Sequence, residues 1–303
     1  MKILFNYLVF PGFLFASITG LIACWIDRKV SARIQWRQGP PWYQNFVDIV
    51  KLLGKETIVP AGASLTFLIA PLLGLVSVIL VAGLLGQAII SPLEGLPADL
   101  IVVIYLLIVP ALSLILGASS SRNPLASQGA SREMKLVLAY ELPFILSVIT
   151  VIIKSGMTLE MGEILNHQIN FGSNIASFSG GIAFAVAILC MQAKLGLAPF
   201  EISEAEQEIM GGVLIEYSGK PLAAFKLTKA ILLYAMPVFL TVLFLGKDTS
   251  FLFLVLKYVA LLVGIILIKN TNPRLRIDQA LKFFWGPVTV LAGLSVISAL
   301  LGR

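Results

Sequence analysis

The sequence predicts an all-α integral membrane protein: about eight transmembrane helices in one polytopic domain over 1–303, with an amphipathic interfacial helix after the first. Three observations predict it. Of 303 residues, 58% are hydrophobic and 13% charged, with a mean hydropathy of +0.95, whereas a soluble domain carries about 25% charged residues. Eight apolar runs, roughly 4–26, 65–90, 100–116, 136–153, 180–191, 227–245, 251–268 and 284–301, are long enough to cross or nearly cross a ~30 Å hydrocarbon core. Seventeen lysines and arginines fall in loops 1–2, 3–4, 5–6 and 7–8, against four on the opposite side. The positive-inside rule therefore puts those loops, about 27–63, 117–135, 194–226 and 269–282, in the cytoplasm and both termini outside the cell membrane. The net charge of +6 reflects orientation, and no nucleic-acid partner is expected.

The first run has no small-residue cleavage site and only Lys2 before it, so it reads as a retained span. It leaves the membrane as a basic continuation, Asp27-Arg28-Lys29 to Arg33 and Arg37, which Gly39-Pro40-Pro41 ends. Next, 42–53 sets Trp42, Tyr43, Phe46, Val47 and Val50 against Asn45, Asp48 and Lys51, the pattern of a helix lying in the interface. The bland reading is a membrane-surface anchor. The functional one is a docking floor for a cytoplasmic partner.

Loop 3–4 is small, polar and turn-rich and carries Arg122 and Arg132. The fourth run then brings Glu141 about five residues into apolar sequence, beside Pro143. A carboxylate there is costly and marks a functional candidate with a partner or a water path; the alternative is pairing with Arg132 or Lys135 near the interface. Pro110, Pro143 and Pro237 predict kinks. The fifth run is the shortest and extends towards Lys194 or back into Ser/Gly-rich sequence. The outer segment after Lys154 holds the only histidine, His167, to which no role is given.

Loop 5–6 holds five of the sixteen acidic residues: Glu201, Glu204, Glu206, Glu208 and Glu216. If 203–210 is helical, Glu201, Glu204 and Glu208 share one face. A solvated acidic loop is the plain reading; carboxylates that relay or sense charge at the membrane edge are the sharper one. Lys257 in the seventh run is a second intramembrane charge that reaches outward if it snorkels. Loop 7–8, with Arg274, Arg276 and Asp278, has the sign to answer the acidic loop. Cys24 and Cys190 lie in apolar runs without metal-binding spacing, so no metal or iron–sulfur site is expected in this chain.

Four loop motifs, in order and on one membrane side, resemble the complex I membrane subunit 1 (H subunit) family. They are Asp27-Arg28-Lys29…Gln35-Trp-Arg37-Gln-Gly39-Pro40; Asp48…Lys51-Leu-Leu-Gly-Lys55-Glu56; Ala198-Pro-Phe-Glu201…Glu204-Ala-Glu206-Gln-Glu208…Glu216-Tyr217; and Pro273-Arg274-Leu-Arg276-Ile-Asp278-Gln279. The loop 3–4 stretch Pro124-Leu-Ala-Ser-Gln-Gly129-Ala-Ser-Arg132-Glu133, with Glu216-Tyr-Ser-Gly219, is similar to the hydrogenase branch: energy-converting membrane-bound nickel–iron hydrogenases, formate hydrogenlyase-type complexes and sulfane sulfur reductase. Gly39-Pro40-Pro41-Trp stands where quinone-reducing members have Gly-Pro-Asn, which counts against a quinone site, although Arg33 and Arg37 match positions near the mouth of that family's quinone cavity.

The resemblance implies a non-catalytic coupling subunit in a ferredoxin-linked oxidoreductase complex. It implies hydrogenase-like large and small subunits and an iron–sulfur subunit on the cytoplasmic side, carrying a nickel–iron centre and iron–sulfur clusters, and antiporter-like membrane subunits alongside. By matching positions in the family's acidic channel, Glu141, Glu201, Glu204, Glu206, Glu208 and Glu216 form the proton or sodium-coupling path, with Lys257 and Asp278 as weaker additions. Arg28, Lys29, Arg33, Arg37, Asp48, Lys51, Lys55, Glu56, Arg122, Arg132, Arg274 and Arg276 are the expected docking residues. A quinone-binding complex I subunit, a purely structural anchor and a stand-alone transporter are the competing readings.

Overall fold

A computed structural model of the chain describes residues 2–92, 99–248 and 250–302, without the side chains of 2–4 and 206–207. Every regular element among them is helical: α1 Lys2–Leu8, α2 Phe13–Ile34, α3 Gln44–Gly54, α4 Thr66–Ile90, α5 Asp99–Leu106, α6 Val109–Ser120, α7 Pro124–Lys154, α8 Met161–Phe171, α9 Phe178–Lys194, α10 Glu206–Ile209, α11 Gly219–Phe244, α12 Phe251–Thr271, α13 Ile277–Phe283 and α14 Thr289–Leu300. Seven spans are long and apolar enough to cross a membrane, namely Phe5–Ile34, Thr66–Ile90, Asp99–Ser120, Pro124–Lys154, Gly219–Phe244, Phe251–Thr271 and Ile277–Leu300. The 17-residue α9 is the eighth and shortest, about 25 Å long at 1.5 Å per residue.

α11 is the axis of the bundle. Its buried residues run almost without interruption from Ala230 to Phe244, and it packs against α2, α3 and α4. A side chain at Gly20 would collide with the Ala230 carbonyl, so that glycine sets how closely α2 approaches α11. α12 is the least buried of the seven spans, with only Leu261, Leu262, Ile265 and Ile266 buried.

Proline acts in three ways. Pro110 lacks an N–H to continue the ladder, and the third span breaks into α5 and α6 there. Pro143 and Pro237, expected as kinks, lie inside α7 and α11, which are each continuous. Pro287 sits in a turn of π-helix, Phe284–Val288, between α13 and α14. There Thr289 Oγ1 donates to the Phe284 carbonyl at 2.6 Å.

The interfacial helix forms as α3. Asn45 is its buried anchor, donating to the Leu21 carbonyl at 3.0 Å and accepting from Arg28 at 2.7 Å. Tyr43, Val47 and Val50 point away, exposed, as a helix lying in the headgroup layer requires.

Two expectations need correcting. The region 117–135 is mostly helix, because Asn123 caps α7 by accepting from the Leu125 N–H at 2.9 Å and Pro124 starts it. The acidic segment 203–210 is not one helix. Only Glu206–Ile209 is helical, so Glu201, Glu204 and Glu208 do not share a helical face.

Candidate functional site

The site is a graded file of ion pairs that runs from within the bundle to one surface. Its innermost member joins α7 to α9. Lys194 Nζ lies 2.8 Å from Glu141 Oε2, and the lysine side chain is 1% exposed. The short α9 ends at this residue, so the ammonium stays inside the protein rather than reaching water. It also sits over the rings of Phe144 (4.6 Å) and Tyr140 (5.3 Å). Glu141 Oε1 is buried without a hydrogen-bond partner. The partner of Glu141 is thus Lys194, not Arg132 or Lys135.

Next along the file is a cavity of about 30 Å³, with Glu133, Lys194, Ser203, Glu204 and Lys229 among its lining residues. That volume admits a water molecule, and the lining supplies several polar partners. Glu133, 6% exposed, lines this cavity with Ser203 and lies in the electrostatic field of Glu204 and Lys229. Glu204 forms an ion pair with Lys229 of α11.

The outer members are more exposed. Arg274 lies 2.7 Å from Glu201 and Arg132 2.5 Å from Glu208. These four residues, with Arg276 and Asp278, line a cleft of about 210 Å³. Arg274 answers the acidic loop as its sign predicts, and the Leu275 N–H, bonded to the Pro199 carbonyl at 3.0 Å, ties the two loops through their backbones.

Not every expected member joins this file. Glu216 accepts from Asn123 Nδ2 at 2.5 Å, beside the α7 cap. Next to it, Tyr217 stacks on Phe67 with ring centroids 4.2 Å apart and donates to the Phe67 carbonyl at 3.1 Å. Burial pushes its phenol above the usual value. Lys257 stands apart at the other end of α11, donating to the Leu245 and Asp248 carbonyls at 2.6 and 2.7 Å. The side chain of Glu206 lies outside the described residues.

Two members escape a reading of the sequence. Glu133 and Glu141 are eight residues apart, which places them near one stripe of a helix, a signal visible only once α7 is extended back through the apparent loop. Lys194 closes its run and counts, by position, as an ordinary loop charge.

The expected docking residues divide. Arg28 reaches Asp48 at 3.6 Å as well as Asn45, which ties α2 to α3, and Lys29 donates to the Gly39 carbonyl at 3.4 Å, which holds the following loop against α2. Arg33, Arg37, Lys51, Lys55, Glu56, Arg122 and Arg276 are exposed. Arg28, Gln35, Arg37, Lys269 and Arg274 are among the residues lining an open cleft of about 440 Å³. Among the described residues, no group of three or more His, Cys, Asp or Glu side chains is placed to hold a metal ion, and both cysteines are free.

The NADH dehydrogenase (NADHdh) family model matches residues 7–300. The H subunit of the Thermomicrobium roseum NADH-quinone oxidoreductase is 33% identical over 326 residues, covering 97% of this chain and 95% of that protein. Its counterpart in Wolbachia pipientis wMel is 32% identical over 304 residues, covering 88% of each. Among solved structures, a chain of the membrane-bound sulfane sulfur reductase (MBS), an archaeal respiratory membrane complex, matches with a TM-score of 0.89 and 32% identity, covering 99% of this chain and 100% of that one.

Proposed function

Because the chain belongs to the NADH dehydrogenase family, that of the complex I H subunit, we propose that it is the membrane coupling subunit of a complex I-related, ferredoxin-linked redox complex of the hydrogenase and sulfane sulfur reductase branch. It binds the cytoplasmic redox module through its exposed basic loops and links electron transfer to proton or sodium movement. Redox chemistry belongs to the partner subunits, with their nickel–iron centre and iron–sulfur clusters, and antiporter-like subunits move the ion. The chain itself is not a catalyst.

The observation that carries this reading is the buried Glu141–Lys194 pair opening on the cavity with Glu133 and Glu204–Lys229. Removing a charge from the medium is tolerable only when its partner stays charged. A proton gained or lost at one member therefore changes the free energy of the next. Alternating anions and cations, with a water-sized space between them, transmit a charge change from the surface pairs Glu201–Arg274 and Glu208–Arg132 to the bundle interior. A structural anchor has no use for such a file.

The branch assignment is supported by the likeness to the MBS chain and by the Gly39-Pro40-Pro41 departure. A second reading, a quinone-binding subunit, is favoured by the names of the curated relatives and by the 440 Å³ cleft beside Arg37. Purification of the intact complex through a tag on this chain, with mass spectrometry and metal analysis, tests the branch. Nickel and iron together with antiporter-like chains is the predicted result. Iron without nickel selects the sulfane sulfur reductase side of this branch or a quinone-reducing relative, and inhibition by a quinone-site ligand selects the latter. A chain that purifies alone and moves a substrate refutes both.

A further inference from the structure

A tryptophan occupies the usual glycine position of a helix terminus and carries its ring outside the fold. α2 ends at Ile34 and is capped by Gln35. The Arg37 N–H returns to the Ala32 carbonyl at 2.7 Å, the Trp36 N–H reaches the Arg33 carbonyl at 3.2 Å, and Trp36 takes φ +57°. This six-to-one closure places its left-handed residue where glycine is favoured, because a Cβ there crowds the backbone. Trp36 is also 98% exposed, the highest value among the large apolar side chains described. Among the described residues its indole has no packing partner, and its backbone gives no conformational reason for it to be there.

Position argues against the bilayer as its cover. Asp27 pairs with Lys269 in the last turn of α12, at 2.7 Å, marking where the two helices leave the apolar layer. α2 continues from there to Ile34, and seven residues at 1.5 Å each carry its end, with Trp36 in the turn beyond it, roughly 10 Å further along the axis. The headgroup layer is only about 5–8 Å deep. The aromatics suited to that depth are Trp42 and Tyr43, beside α3. Arg33, whose carbonyl accepts from the Trp36 N–H, and Arg37, the next residue, are both exposed and, among the described residues, without an ion pair.

We propose that Trp36 is the anchor by which a cytoplasmic protein subunit grips this chain. Its indole fills an apolar pocket on that subunit, and carboxylates around the pocket meet Arg33 and Arg37. A tryptophan desolvated at the centre with charges at the rim is the usual composition of an energetically dominant contact. This rests on the reading that a cytoplasmic module docks on loop 1–2 and names the residue and the kind of surface that hold it.

The test uses the full complex, purified through a tag on this chain and washed with rising salt. W36A is predicted to lose the cytoplasmic subunits at least tenfold under a wash that wild type survives, with membrane subunits retained, while W36F keeps most of them. A photo-crosslinking amino acid in place of Trp36 is predicted to capture one cytoplasmic subunit. If W36A keeps its full complement while R33Q/R37Q sheds it, docking on this loop stands and the anchor role of Trp36 is refuted. If wild type carries no cytoplasmic subunit, the docking reading itself fails. Crosslinks to lipid alone overturn the protein pocket.

Discussion

Lys194 and Glu141 meet 2.8 Å apart between α9 and α7, and the lysine side chain is 1% exposed. This is the most enclosed of the six ion pairs found among the described residues. The helices on either side of it already pack through apolar contacts, with Ala139, Tyr140, Val186, Ala187 and Cys190 buried. The pair is therefore not needed to hold them together, and its desolvation cost points to function.

Breaking the pair from one side is predicted to be far worse than removing it. K194M leaves the Glu141 carboxylate buried and unpaired, at a cost of about 3–5 kcal/mol. K194M/E141L replaces both charges with apolar atoms and should recover most of that loss. Thermal unfolding of the purified complex in detergent checks this. A double variant no more stable than K194M contradicts the pairing.

The surface pairs are predicted to matter little for stability. Arg274–Glu201 is partly exposed on both sides, and such pairs contribute about 0–1 kcal/mol. A double-mutant cycle on R274Q and E201Q should give a coupling energy in that range, weakening with added salt. A coupling above about 2 kcal/mol would place this pair in the same class as Lys194–Glu141.

Tyr217 gives an alkaline signature. Burial raises its phenol above the ordinary value of 10.0, so the folded chain holds the proton more tightly than the unfolded one. That contribution is complete below about pH 10 and fades as pH rises through the folded value. Y217F should lose the bond to the Phe67 carbonyl, about 0.5–1.5 kcal/mol, yet show a shallower loss of stability above about pH 10 than wild type. Parallel pH–stability curves would refute this.

Gly20 is predicted to tolerate nothing larger. A side chain there meets the Ala230 carbonyl of α11, a backbone atom that cannot step aside. G20L should force α2 off the bundle axis and lower the yield of folded complex several-fold, whereas V76L, on an exposed stretch of α4, should leave it unchanged. Equal yields would contradict the close approach.

The spans were legible because hydropathy over about 18 or more residues leaves few alternatives, and α3 because its aromatics and Asn45 separate by face. The Glu201–Arg274 contact followed from sign and sidedness. Of the inner residues Glu133, Glu141 and Lys194, only Glu141 was legible, as a carboxylate within an apolar run. Glu133 lay in what reads as a polar loop, since Ser and Gly between Gly117 and Arg132 hide a helix whose start depends on the Asn123 cap. Lys194 was obscured because a lysine after an apolar run is usually a topological signal; only the shortness of α9 keeps it inside. The acidic segment read as one helix by spacing, but its carboxylates are held separately by cations from α7, α11 and the last loop, which no local pattern contains.

The most direct test of the coupling role is ion uptake by sealed vesicles during ferredoxin-driven turnover, measured together with electron transfer for E141Q. The glutamine keeps the size of the side chain and can still accept from Lys194, but it can neither carry the charge nor exchange a proton. The predicted result is ion movement reduced at least tenfold per electron, with electron transfer partly preserved. An unchanged ratio of ions to electrons would contradict the assignment of Glu141 and Lys194 as the inner end of the path.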